Sequence, residues 1–352
     1  MKNILHRENI KLVYVLGMFA FAFFLLAYIA NLLLSAVLAF VFFYLMSPIV
    51  SFCERRGLPR GASIFVIYSL FAILVITTFA IFLPQVIDQA GILQEELPQL
   101  QRGFVDIVQR TEARIEATLH TNRFGVVKSL GDWLVDQTTR YSSMLPRWIS
   151  NSLTTLFLTP FLAFFMLRDG TRLKRKFLKL IPNAYFEMVL KLLHEMNDQI
   201  GKFIRARFLE ALIVGIVTLV GLLVMGFPFA ILLALFAALT NLIPYLGPIV
   251  GAVPPVIIAL VNPDIVLGSL SMNLIVLAAI YMTAQILDAF VIIPVVVAKI
   301  VDLHPVTVIL VIILGAQLLG ILGMIISIPV ASLCKLILST FYNHLIRTSP
   351  VA

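Results

Sequence analysis

From Asn241 to Pro255 the chain reads NLIPYLGPIVGAVPP, with Pro244, Pro248, Pro254 and Pro255 set among apolar residues and beside Gly247 and Gly251. Proline brings no backbone N–H and its ring clashes with the preceding turn, so four of them predict that no uninterrupted helix covers this stretch. At membrane depth each freed backbone group costs several kcal/mol unless protein or a water-lined cavity satisfies it. The expected form is a broken or re-entrant helix near 241–255, with Asn241 and Tyr245 as its polar neighbours. Transporters bind substrates and ions at such breaks. Asn241, Pro244, Tyr245, Gly247, Pro248 and Pro254 are therefore candidates for a substrate or ion pathway. A proline kink that serves packing alone is the competing reading.

The break matters because the surrounding chain is built for lipid. Its 352 residues are 61% hydrophobic and 12% charged, whereas soluble domains carry about 25% charged residues. Several runs reach the ~20 apolar residues that cross the hydrocarbon core. The fold class read from this is all-α, a polytopic membrane protein with about eight transmembrane helices and amphipathic helical segments outside the bilayer. A net charge of +8 would suggest nucleic acid in a soluble protein. Here the basic residues cluster beside spans, which points to topology and to membrane lipids as partners, with no nucleic acid. Cys53 and Cys334 lie far apart, in or beside apolar spans, and support neither a metal site nor a disulfide framework.

Taken in order, spans are expected at 12–30, 32–50 and 62–83, making 1–84 a block of three. Residues 85–147 are mixed and charge-balanced, and Leu97, Leu100, Phe104, Ile107 and Val108 recur at helical spacing. This predicts an extracytoplasmic helical segment. The remainder, 148–352, is expected to be the transport region. It opens with a span at 148–167 and then carries a basic segment at 168–207, in which Arg168, Arg172, Lys174, Arg175, Lys176 and Lys179 cluster. Lys and Arg excess marks the cytoplasmic side. The N-terminus, the 53–60 loop, 168–207 and the C-terminus are thus expected inside, and three spans before 85–147 agree in parity. Further spans follow at 208–225 and 265–287, and a last apolar region runs over 306–338.

Polar residues in the apolar regions are the other candidates. Asp288 follows the long run from Ile265, with Gln285 one turn earlier on the same face. A carboxylate inside the bilayer is functional by default, but the run before it would give about 34 Å of helix, enough to place Asp288 at the headgroups instead. His304 could titrate near neutral pH; beside Asp302 and Pro305 it is equally a plain loop residue. Gly315, Gly320 and Gly323 suit close helix packing. The segment HEMND at His194 lacks the second histidine of a zinc-binding HExxH helix, and no nucleophile elbow, P-loop or dinucleotide fingerprint occurs. The expectation is a protein that is not an enzyme, with no cofactor and no metal.

The chain resembles the autoinducer-2 exporter (AI-2E) family of bacterial membrane proteins. The likeness rests on P-x-x-x-x-x-x-R-R-G-x-P-R from Pro48, FFMLRDG closing the 148–167 span and GFPFAILLALFAALTNLIPYLGPIVGAVP at 226–254. It continues in Q-x-x-D-x-x-V-x-x-P at 285–294, LHP at 303–305 and GILGMIISIP at 320–329. The resemblance implies an eight-span inner-membrane transporter with an outer segment between the third and fourth spans, assembled as a homo-oligomer, pentamers being expected. Some relatives are associated with export of autoinducer-2, a quorum-sensing signal, and others with sodium/proton exchange. Where the family usually carries an acid before I-P-Y-x-G-P this chain has Asn241, its acid at 288 is Asp rather than Glu, and Phe290 replaces a usual Asn. Three functions follow as expectations: a secondary transporter or exporter of small solutes, a monovalent cation/proton antiporter, or a non-transporting membrane scaffold.

Overall fold

The computed structural model describes residues 30–119, 155, 157–244, 246–290 and 303–348. Among them the chain is helical and no strand occurs. In order come α1 (Ala30–Arg55), α2 (Arg60–Leu119), α3 (157–178), a 3-10 turn at Asn183–Tyr185 and α4 (Phe186–Met225). Then follow α5 (Ala230–Thr240), α6 (Leu246–Val261), α7 (Leu270–Leu287) and α8 (Pro305–Thr348). Among the described residues, five stretches are long and apolar enough to cross a bilayer: Leu32–Arg55, Arg60–Arg110, Phe186–Met225, Leu270–Phe290 and Val306–Thr340. The protein is a helical polytopic membrane protein. The expected span at 12–30 lies outside the described residues.

Two helices are longer than the sequence pattern implies. The helix from Arg60 does not stop at Pro84; it continues through Pro98 to Leu119. Its 60 residues make a rod of roughly 90 Å, against a hydrocarbon core of ~30 Å. Each proline costs α2 one hydrogen bond, but its fixed φ is already helical and the turns on either side close normally. In the same way α4 joins the amphipathic stretch before Arg207 to the apolar span after it in one helix of 40 residues. By contrast, α7 starts at Leu270 rather than Ile265. Ser269 caps it, accepting from the Met272 N–H at 3.4 Å. Asn273 pins the preceding turn, donating to the Pro263 carbonyl at 2.7 Å and accepting from the Leu267 N–H at 3.1 Å.

The chain divides into two packed units, and α2 and α4 each run through both. The first holds 1–72, 149–206 and 296–352. Its apolar centre is Val50, Ile64, Ile67 and Leu167, with Phe43, Tyr68 and Phe164 against it. Arg60 forks onto the Leu167 carbonyl through Nε at 3.0 Å and Nη2 at 2.6 Å, and Tyr68 donates to the Pro160 carbonyl at 3.1 Å. Pro48 deprives the Tyr44 carbonyl of its helical N–H, and Arg205 Nη1 donates to that carbonyl at 3.4 Å. The α8 stretch is two helical arms that meet at Gly320, which takes φ 61° and ψ −140°, a region open essentially to glycine. The chain folds back there so tightly that a Cβ on Gly315 or Gly323 would strike the other's backbone carbonyl. Gly315 and Gly323 thus serve close packing, whereas a Cβ on Gly320 would meet nothing within 4 Å and only its backbone angle calls for glycine.

The second unit holds 73–148 and 207–295. Its core gathers Leu100, Leu222, Phe227, Phe229, Leu233, Ile258 and Leu277. The two short helices α5 and α6 lie inside this packing, and at about 16 and 24 Å neither crosses a ~30 Å core alone. Gln89 on α2 caps α5, its Oε1 accepting from the Leu232 N–H at 3.2 Å. Within α6, Pro254 and Pro255 remove two N–H groups. The Gly251 carbonyl left over by Pro255 accepts instead from the Tyr281 hydroxyl at 3.1 Å.

This substitution of donors makes a prediction. Tyr281→Phe should lower stability by about 1 kcal/mol in thermal unfolding of the purified protein. In a Pro255→Ala background, where position 255 regains an N–H that can reach the Gly251 carbonyl, the same change should cost clearly less. Identical losses in both backgrounds would show that the hydroxyl does not replace the missing N–H.

Candidate functional site

The site grows from one face of α4. Glu210, Val214, Thr218 and Leu222 recur every four residues and all are buried, a stripe that points into the second unit. Small residues on this helix let its neighbours close in. A Cβ on Gly215 would press on Ala238 of α5, and one on Gly221 would press on Ile280 of α7.

The predicted break lies between α5 and α6, but fewer prolines make it than the sequence suggests. Asn241 still donates its N–H to the Ala237 carbonyl at 3.0 Å, and the Ile243 N–H reaches Thr240 at 2.9 Å. Pro244 then ends the run. Its carbonyl accepts from the Leu246 N–H at 2.8 Å, and the Gly247 N–H bonds to Ile243 at 2.9 Å. The expected break near 241–255 is present, between Thr240 and Leu246. Pro248 sits in the first turn of α6, where its N–H would have no helical acceptor, and Pro254 and Pro255 lie inside α6. Only Pro244 is in the break. The return is close: a Cβ on Gly247 would collide with the Thr240 carbonyl and Asn241 Cα, and one on Gly251 would press on Ala237 and Thr240. Tyr245 lies outside the described residues.

This turn delivers Asn241 to Glu210. Asn241 is 1% exposed and Glu210 3%, and the Asn241 amide donates to Glu210 Oε1 at 3.4 Å. Arg207, one turn earlier on α4, places Nη1 2.6 Å from both carboxylate oxygens. Asp288 arrives from the end of α7, where the backbone widens into a π-type turn over 288–290, a form of helix frequent at functional sites. It is 7% exposed and lies near enough to Glu210 and Arg207 for their charges to act on one another. Two buried oxygens of the cluster, Asn241 Oδ1 and Asp288 Oδ1, have no hydrogen-bond partner among the described residues.

The arithmetic of charge is simple. Among the described residues one guanidinium faces two carboxyl groups, which leaves the cluster one positive charge short. Two carboxylates at this range repel strongly unless a proton or a cation sits with them. Among the described residues Asn241 Oδ1 and Asp288 Oδ1 are acceptors without a donor, the chemistry that a proton, an ammonium group or a hard monovalent cation satisfies.

Of the residues singled out in the sequence, the structure therefore brings Asn241 and Asp288 together, with Pro244 and Gly247 shaping the turn that carries Asn241. Pro248 and Pro254 lie along α6. The Gln285 side chain makes no hydrogen bond to Asp288; only its backbone carbonyl accepts from the Asp288 N–H. His304 belongs to the first unit and is exposed. Its Nδ1 accepts from the Val306 N–H at 3.3 Å and it precedes Pro305, so it acts as the N-cap of α8. Glu210 and Arg207 are the residues sequence reasoning missed. The signal was present: Glu210 is the one acid inside the apolar run 208–225, and an intramembrane carboxylate calls for a partner.

Residues 12–343 match the family described as AI-2E family transporter. The chain belongs to this family. Among its relatives are YueF of Bacillus subtilis, 28% identical over 345 residues covering 92% of this chain and 86% of that protein, and PerM of Escherichia coli, 27% identical over 337 residues covering 93% and 91%. Both carry transport-protein or permease names. The AI-2 transport protein TqsA of Escherichia coli is 23% identical over 347 residues, covering 96% of this chain and 94% of its own length. This AI-2E family member is thus a membrane protein of a transporter family.

The pairing in this family member can be tested by removing charges in order. Arg207→Met leaves two buried carboxyls without a counter-charge and should cost several kcal/mol, roughly 3–5. Arg207→Met combined with Glu210→Leu should recover at least half of that loss in thermal unfolding. Equal losses in the single and double variants would mean that the two side chains do not compensate each other.

Proposed function

We propose that this protein is a secondary transporter of the bacterial inner membrane that moves small solutes, with the Arg207–Glu210–Asn241–Asp288 cluster as the point where transport is coupled to an ion. The observation that carries the reading is the buried cluster itself. It stands at a helix break, carries an excess of carboxyl groups and keeps two acceptor oxygens open. Packing alone would not favour such an arrangement, since unpaired buried oxygens are costly. Asn241, Pro244, Tyr245, Gly247, Pro248 and Pro254 mark the proposed pathway at the hairpin, with Gln285 and Asp288 beside it. The cargo the relatives suggest is an autoinducer-2-type signal, by the name TqsA bears, with export as the direction and a homo-oligomer, a pentamer, as the working form.

A second reading, monovalent cation/proton antiport without an organic cargo, is favoured by the charge balance of the same cluster. Proteoliposomes holding only this protein separate the two. Solute flux with a pH gradient supports the first; cation flux alone supports the second; neither, in well-folded protein, leaves a non-transporting scaffold. Within whichever flux is found, Asp288→Asn should assemble normally yet lose the response of flux to an imposed pH gradient, because the amide keeps the shape of the acid without an exchangeable carboxyl proton. Wild-type gradient dependence in Asp288→Asn would take the residue out of the coupling.

The proposed orientation puts both termini and the basic residues after Leu167 on the cytoplasmic side. Single cysteines at positions in 85–110 should then react with an impermeant thiol reagent added outside intact cells, and those in 170–200 should be protected. Reaction of both sets from one side would overturn this topology.

A further inference from the structure

The transport reading leaves one strongly charged surface unused, the far end of α3. Six basic residues, Arg168, Arg172, Lys174, Arg175, Lys176 and Lys179, stand there against Asp169. Asp169 engages Arg168 at 3.6 Å and Arg172 at 3.7 Å. Lys174, Arg175, Lys176 and Lys179 are exposed and have no ion pair among the described residues. The helical hydrogen bonding carries on past the last full turn, with the Lys179 N–H bonded to the Arg175 carbonyl at 3.2 Å.

The charges are sorted. At about 100° per residue, Arg172, Arg175, Lys176 and Lys179 share one arc of about 100°, Leu173, Phe177 and Leu180 share the adjoining arc, and Lys174 borders that apolar arc on its other side. Leu173 and Leu180 are exposed, at 62% and 48%. An apolar strip next to a cationic one is the pattern of a helix lying in the bilayer interface. Its position along the chain fits. The apolar part of α3 ends at Leu167, and the Arg168 guanidinium lies over Phe164 and Phe165, 6.0 and 5.6 Å from their ring centres, as a cation does where a helix leaves hydrocarbon. Lys174 to Lys179 follow within about three turns of Arg168, so a helix inclined toward the interface keeps them in the headgroup layer. Tyr185 and Phe186, exposed beyond the turn, add aromatic side chains of the kind that favour that layer.

We propose that the segment 172–180 is a docking surface for the headgroups of anionic phospholipids in the adjoining leaflet, with Lys174, Arg175, Lys176 and Lys179 binding the phosphates and Leu173 and Leu180 resting on the acyl boundary. A nucleic acid would meet the same charges but gives no role to the exposed leucines, whereas a lipid surface satisfies both strips at once.

The test uses the full-length protein reconstituted with photoreactive phosphatidylglycerol or photoreactive phosphatidylcholine as probes, with crosslinked peptides mapped by mass spectrometry. Phosphatidylglycerol should label 172–180 at least tenfold more than phosphatidylcholine does. Lys174→Gln/Arg175→Gln/Lys176→Gln/Lys179→Gln should lose that excess, while Lys174→Arg/Lys176→Arg/Lys179→Arg should keep it with an unchanged melting temperature. Equal labelling by the two lipids in the wild-type protein overturns the proposal, as does phosphatidylglycerol labelling confined to other segments; neither result requires that any variant fold.

Discussion

A carbonyl that loses its helical N–H inside hydrocarbon must find another donor, and much of this structure follows from that requirement. Water is absent to do the job. Pro48 frees the Tyr44 carbonyl and Arg205 answers it; Pro255 frees the Gly251 carbonyl and Tyr281 answers it. In each case the donor comes from a different helix, so the defect in one element becomes a bond between two. Proline inside a bilayer helix is then a fastening point, provided a long polar side chain stands opposite. The same requirement explains why the break at Pro244 is so compact: its N–H groups turn inward onto nearby carbonyls rather than out toward lipid.

The second determinant is charge kept where solvent is scarce. Arg207 is held by Glu210, Glu210 is reached by Asn241 from the break, and Asp288 closes on Glu210 from the loosened end of α7. The Arg207–Glu210 pair is internal to α4, and Asn241 reaches it from the last turn of α5, just before the chain breaks at Pro244. The break and the cluster are thus one construction: backbone geometry delivers the amide, and the amide and two carboxyls set the electrostatics. That link between a local irregularity and a buried polar site is how helical transporters commonly build binding sites.

How far this could be read from the sequence depends on range. Apolar runs, a helix break near Pro244 and a buried role open to Asp288 are local signals, and each is visible in a window of about 20 residues. The depth of Asp288 was not, because an apolar run alone cannot say whether Ser269 will trim the start of α7 or whether Glu210 will face its end. The continuity of α6 through Pro254 and Pro255 was also hidden, since the donor that rescues Gly251 lies on another helix. Helix α2 misled for the opposite reason: Pro84 and the change from apolar to charged residues look like a boundary, yet the composition changes along one helix that continues through Pro84 and Pro98 to Leu119. Glu210 was overlooked because it follows closely on Arg205 and Arg207 and reads as the tail of an amphipathic stretch, when it is the start of a buried stripe.

The hairpin of α5 and α6 is bounded by Gly226 and Gly268, both at φ +71°, and a Cβ at either would meet nothing within 4 Å. At its tip, Gly247 and Gly251 have ordinary backbone angles and no room at all. Glycine is therefore required twice over for unrelated reasons. At the ends there is space for a side chain but the backbone has the wrong handedness to carry one, and at the tip the handedness is right but the space is already taken by the returning chain.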